Sequence, residues 1–68
     1  MRQLDVKEAL NALHCGLVLY DGKYYYRYDP IFQEVIFGFS KTHNMSKITV
    51  SAFLHVFKDY RFSYQLSS

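Results

Sequence analysis

Between Leu17 and Asp29 the chain reads LVLYDGKYYYRYD, two runs of β-forming side chains on either side of Asp21-Gly22. Asp-Gly is a strong hairpin signal, because the favoured tight turn needs left-handed backbone at both central positions. With Asp21-Gly22 as a two-residue loop, Tyr20 pairs with Lys23, Leu19 with Tyr24, Val18 with Tyr25 and Leu17 with Tyr26. Directly opposed residues share a sheet face. Leu17, Leu19, Tyr24, Tyr26 and Tyr28 then form one face, expected to meet the core. Val18, Tyr20, Lys23, Tyr25 and Arg27 form the other, expected to face solvent or a partner.

The flanking sequence supplies what such a hairpin can pack against. Asp5 and Glu8 have capping-box spacing, and Leu4 and Ala9 are placed for a hydrophobic staple. Val6, Ala9, Leu10 and Leu13 then follow as one helical stripe that ends at Gly16. Asp29-Pro30 ends the second strand of the hairpin. Glu34 to Ser40 reads as a third strand, with Val35, Phe37 and Phe39 on one side and Glu34, Ile36 and Gly38 on the other. Lys41 to Asn44 is a polar loop. Thr49 can cap a second helix whose stripe is Val50, Phe53, Leu54 and Phe57. Tyr60, Phe62, Tyr64 and Leu66 alternate with polar residues as a last strand. The order α-β-β-β-α-β predicts an α+β domain, an antiparallel sheet with both helices on one face.

At 68 residues the chain makes a single domain spanning 1–68. A domain this small buries only about 60% of its unfolded surface, which makes self-association as a homodimer a natural remedy. The lone Cys15 allows no internal disulfide and fits a reducing compartment. No apolar run approaches the roughly 20 residues of a membrane span, and the N-terminal residues are too polar for a signal peptide. A cytoplasmic protein without membrane contact is expected.

Chemistry-bearing residues are few. His14, Cys15, His43 and His55 have no metal-ligand spacing. Cys15, beside a helix-stop glycine, is expected to be packed rather than reactive. Asp5 and Glu8 serve a cap, Asp21 a turn, Asp29 a strand end and Asp59 a helix end, which leaves Glu34 as the one unassigned carboxylate. Neither catalytic residues nor a cofactor is expected. Seven tyrosines and six phenylalanines exceed what a core of this size needs, so some rings should be exposed. The net charge of +2 permits nucleic-acid contact without demanding it. Tyr20, Lys23, Tyr25 and Arg27 would suit stacked bases beside phosphates, extended by Lys41, Lys47 and Arg61. Val18, Tyr20, Tyr25 and Ile36 with Arg27 equally have the composition of a protein-interface hot spot.

Two resemblances to small phage proteins bear on these alternatives. The run DVKEALNAL from Asp5, followed by Gly16, and the closing stretch Ile48 to Tyr64 resemble the layout of the Thoeris anti-defence family of second-messenger-sequestering proteins. That family's basic run after the glycine and its tryptophans are absent here. Asp21-Gly22-Lys23 with Tyr25, Tyr26 and Tyr28 resembles the hairpin of the short phage uracil-DNA glycosylase inhibitors. Val50-Ser51-Ala52-Phe53 is similar to the start of the helix with which those inhibitors present a phenylalanine, which implies Phe53 as the inserted ring. Their acidic positions are Arg27 and Leu54 here, which speaks against DNA mimicry, since that requires negative charge. Both resemblances imply a small, non-enzymatic, phage or mobile-element protein that inhibits a host protein. Its contact set would be Tyr20, Lys23, Tyr25, Arg27, Ile36 and Phe53. A single-stranded nucleic-acid binder and a sequestering protein for a nucleotide messenger are the alternatives.

Overall fold

The computed structural model describes residues 3–39 and 45–64. The chain is an α+β protein, two helices and a five-stranded antiparallel sheet. In chain order the elements are α1 (Val6–His14), β1 (Leu19–Tyr20), β2 (Tyr25–Asp29), β3 (Glu34–Gly38), β4 (Ser46–Thr49), α2 (Val50–Val56) and β5 (Ser63–Tyr64). The sheet runs β4-β3-β2-β1-β5.

α1 begins with the capping box that its sequence encodes. The Glu8 N–H donates to Asp5 Oδ1 at 2.8 Å, and the Asp5 N–H donates back to Glu8 Oε1 at 3.2 Å. Val6, Ala9, Ala12 and Leu13 form its buried stripe. α2 starts without a loop, as Thr49 ends β4 and its hydroxyl accepts the Ala52 N–H at 3.2 Å. The β-branched run Ile48-Thr49-Val50 thus spans a strand end and a helix start. That run hid β4, which the sequence reading does not contain.

The core lies between the helices and one face of the sheet. Leu19, Tyr26 and Val35 from the strands meet Ala9 and Leu13 of α1 and Phe53 of α2, with Phe57, Phe62 and Leu4 completing the cluster. Tyr26 is the central ring, with centroids of Phe57 at 5.4 Å and Phe62 at 5.0 Å, both edge to face. Beyond β5 the Leu4 N–H donates to the Phe62 carbonyl at 2.7 Å and the Phe62 N–H to the Leu4 carbonyl at 2.9 Å. The segment before α1 therefore covers one edge of the sheet.

The hairpin differs from expectation in register. Leu19 pairs with Tyr26 and Tyr20 with Tyr25, so Asp21 through Tyr24 form the loop. The Asp21 side chain explains the longer loop. Its Oδ1 accepts the N–H groups of Lys23 at 2.8 Å and Tyr24 at 2.7 Å, and its Oδ2 accepts the Tyr26 hydroxyl at 2.5 Å. These bonds hold Asp21 as an Asx-turn residue and leave only Gly22 left-handed, at φ +95°. The shift is two residues. A sheet's side-chain period is also two, so both faces keep the membership of their strand residues.

An added Cβ at Gly22 would meet nothing within 4 Å, so Gly22→Ala tests the backbone alone. It is expected to cost about 1 kcal/mol, read as a lowered urea midpoint with an unchanged slope. An unmoved midpoint would mean that Gly22 is not left-handed in solution.

Candidate functional site

Both helices pack on the face of Tyr26 and Val35; among the described residues no helix covers the other face. Register arranges that open face in rows. Ser63, Tyr20, Tyr25 and Gly38 lie in one row. Arg27, Ile36 and Lys47 form the next, and Asp29, Glu34 and Thr49 the third. Beyond the third row is the turn joining β2 to β3, residues Pro30 to Gln33.

This turn carries the most exposed apolar side chains among the described residues, Ile31 at 82% and Phe32 at 66%. It is held firmly. Asp29 Oδ1 accepts the Ile31 N–H at 2.9 Å and the Phe32 N–H at 3.4 Å. Pro30 fixes its own φ. Gln33 closes the turn at φ +55°, a left-handed conformation that is costly for any residue but glycine. The Lys47 ammonium lies 5.2 Å from the centroid of the Phe32 ring, which joins the tip to the cationic row of the open face. Two adjacent apolar residues, bonded through their backbone to Asp29 and left in water, are the opposite of ordinary turn chemistry. The sequence reading assigns them no role. The signal available was an apolar pair directly after Asp-Pro, where polar residues are the rule.

The contact set expected from sequence divides. Tyr20, Tyr25 and Arg27 stand on the open face as expected. The two tyrosine rings are half-buried and pack on each other, centroids 4.7 Å apart. Ile36 is on that face but only 8% exposed, because it sits in a central strand between the long side chains of Arg27 and Lys47. Lys23 leaves the set. The longer loop removes it from the position opposite Tyr20, and its ammonium lies 5.2 Å from the Tyr24 ring and 6.0 Å from the Phe39 ring. Phe53 leaves it too. It is 0% exposed, and a ring that fills the core is not available for insertion into a partner. Of the cations expected to extend the face, Lys47 does so. Arg61 lies on the helix side, and Lys41 lies outside the described residues.

Among the described residues no three His, Cys, Asp or Glu side chains gather as a metal site. His14 packs edge to face on Tyr28 at 4.5 Å, His55 is exposed, and His43 lies outside the described residues. Cys15, expected to be packed, is a free thiol at the surface, because α1 ends one residue earlier and turns its C-cap outward. The Tyr26 hydroxyl has its pKa pushed far above the ordinary tyrosine value, first by burial and then by its hydrogen bond to the Asp21 carboxylate. Among the described residues no helix is long and apolar enough to cross a membrane.

Comparison with protein families, curated proteins and solved structures finds no match to this chain.

Proposed function

We propose that this chain is a small non-catalytic protein that binds and inhibits a protein of the cell in which it acts, a host protein if the chain is phage-encoded. The supporting observation is the exposed Ile31–Phe32 tip, hydrogen-bonded through its backbone to Asp29 at the end of a sheet face that no helix covers among the described residues. An aromatic and an aliphatic side chain on a fixed turn are suited to anchor in an apolar pocket. Arg27, Lys47, Tyr20 and Tyr25 would form the surrounding contact area. Little conformational entropy is lost on docking such a tip, since Asp29 and Gln33 already hold it.

Single-stranded nucleic acid fits the same face less well. Lys23 points elsewhere, and the Tyr20 and Tyr25 rings pack on each other at a tilt of 32° rather than splaying for bases. Asp29 and Glu34 bring two carboxylates between the tip and the cationic row.

A photo-crosslinking phenylalanine at position 32, irradiated in the source cell, should trap one protein that the same probe at Asn11 on α1 does not. With that protein purified, Ile31→Asp combined with Phe32→Asp is expected to weaken binding about hundredfold. The urea midpoint should not fall, because neither side chain is in the core. Equal adducts at both positions, or undiminished binding by the double variant, would overturn the proposal.

A further inference from the structure

Two grooves flank α1. One, lined by Glu8, Asn11, Cys15, Leu17 and Tyr64 among others, contains a carboxylate and no cation. The other, about 450 Å³, lies where the start of α1 meets α2 and the segment after it. It is lined by Asp5, Val6, Lys7, Leu54, Lys58 and Arg61. Its cations come from opposite ends of the chain and meet only through the fold. Among the described residues none of the three is ion-paired to a carboxylate. The chain as a whole has a net charge of only +2, so this groove concentrates the positive excess.

From these features we infer that the groove between α1 and α2 binds the phosphoryl group of a small soluble molecule. This site is on the helix side of the sheet and stands independently of the partner surface proposed above. Arg61 is already partly fixed, its Nη1 donating to the Tyr60 carbonyl at 3.1 Å, which leaves Nη2 and Nε to face an oxyanion. Lys7 and Lys58 add point charges for the remaining oxygens. The positive end of α1 opens on the same groove, which Asp5, Val6 and Lys7 help to line. Val6 and Leu54 offer an apolar wall for the non-phosphate part of the ligand. Asp5 is the opposing charge. Its Oδ1 is occupied by the Glu8 N–H, so it serves the helix start and subtracts from the anion's binding.

The test is an amide and methyl NMR titration of the full chain with inorganic pyrophosphate at constant ionic strength, against glutarate as a dicarboxylate of comparable charge. Pyrophosphate should move the resonances of Lys7, Leu54, Lys58 and Arg61 to saturation and leave the Ile31–Phe32 turn unmoved. Lys58→Glu and Arg61→Glu should each weaken binding about tenfold. Asp5→Asn keeps a good N-cap side chain and should tighten binding, an effect that damage to the fold cannot imitate. Shifts spread evenly over all lysines and arginines, an equal response to glutarate, or an unchanged affinity in Asp5→Asn would each overturn the inference. Sedimentation with phosphatidic acid vesicles, stronger than the response to pyrophosphate, would overturn the soluble source and assign the groove to a lipid headgroup.

Discussion

Phe53→Ala is expected to abolish cooperative folding at 37 °C. Phe53 is fully buried, with ring centroids of Phe57 at 5.4 Å, Phe62 at 5.8 Å and Tyr26 at 6.0 Å. Removing such a ring typically costs about 3–5 kcal/mol, from lost transfer energy and from the cavity left behind. A core in a domain of this size rarely supplies more than about 3–5 kcal/mol in total, so one ring is comparable to the whole margin. α2 has only 7 residues, too few to stand alone as a helix, and Phe53 is the one residue inside it that is fully buried. Its loss should therefore undock the element along with the side chain. Far-UV circular dichroism against urea measures this, with Phe53→Leu retaining a transition because most of the apolar volume stays. A wild-type midpoint in Phe53→Ala would show that the ring does not hold α2 to the sheet. The same test bears on inhibition by an inserted phenylalanine, since a ring that the fold requires cannot also be delivered to a partner.

The second large effect is expected in alkali. Tyr26 keeps its proton in the folded protein, because burial and the neighbouring Asp21 carboxylate both oppose a phenolate. In the unfolded chain the same hydroxyl titrates near its ordinary value of about 10. Above that pH the native state binds more protons than the unfolded state, and stability falls as pH rises. Below it the contribution is fully present. Each pH unit past about 10 costs about 1.4 kcal/mol from this one group. Tyr26→Phe removes the proton in question. At neutral pH it should lose about 1.5–3 kcal/mol with the hydrogen bond to an ionised acceptor. Between about pH 9 and pH 11 its stability should fall less steeply than that of the wild type, so the two urea-derived curves converge. Parallel curves would mean that the Tyr26 hydroxyl is neither buried nor bonded to Asp21 in solution.

Sequence and structure agree where the determinants are local, and part where they are not. The Asp5–Glu8 box, the Thr49 cap and the alternation around Tyr26 each act within a few residues, and each appears in the fold. The hairpin faces were legible because they depend only on parity. The loop length was not, because it is set by the carboxylate of Asp21 choosing Lys23 and Tyr24 as partners over a tight turn. Lys23 was misplaced for that reason alone. β4 is short and polar on its edge, and it merges into α2, so periodicity had too few residues to register it. Phe53 could be read as a helix residue on an apolar stripe, and equally as an exposed one by resemblance. Only the packing of Phe62, Phe57 and Tyr26 against it decides. The cationic groove was invisible for a different reason, as positions 7, 58 and 61 have no relation until the ends of the chain are brought together.

That meeting of the ends governs how the molecule comes into being. β2, β3 and β4 follow one another in sequence and pair with their immediate neighbours, so they can form by short loop closures. The edge beyond β1 is different, since Phe62 must return to Leu4 across almost the entire length described. Closing so long a loop is entropically costly, and the reward, burial of both side chains, comes only once it is complete. A nascent chain on the ribosome is therefore expected to pair its meander first, and it cannot seal its core until residue 62 has emerged. Until then Leu4 and the apolar stripe of α1 wait without their final cover.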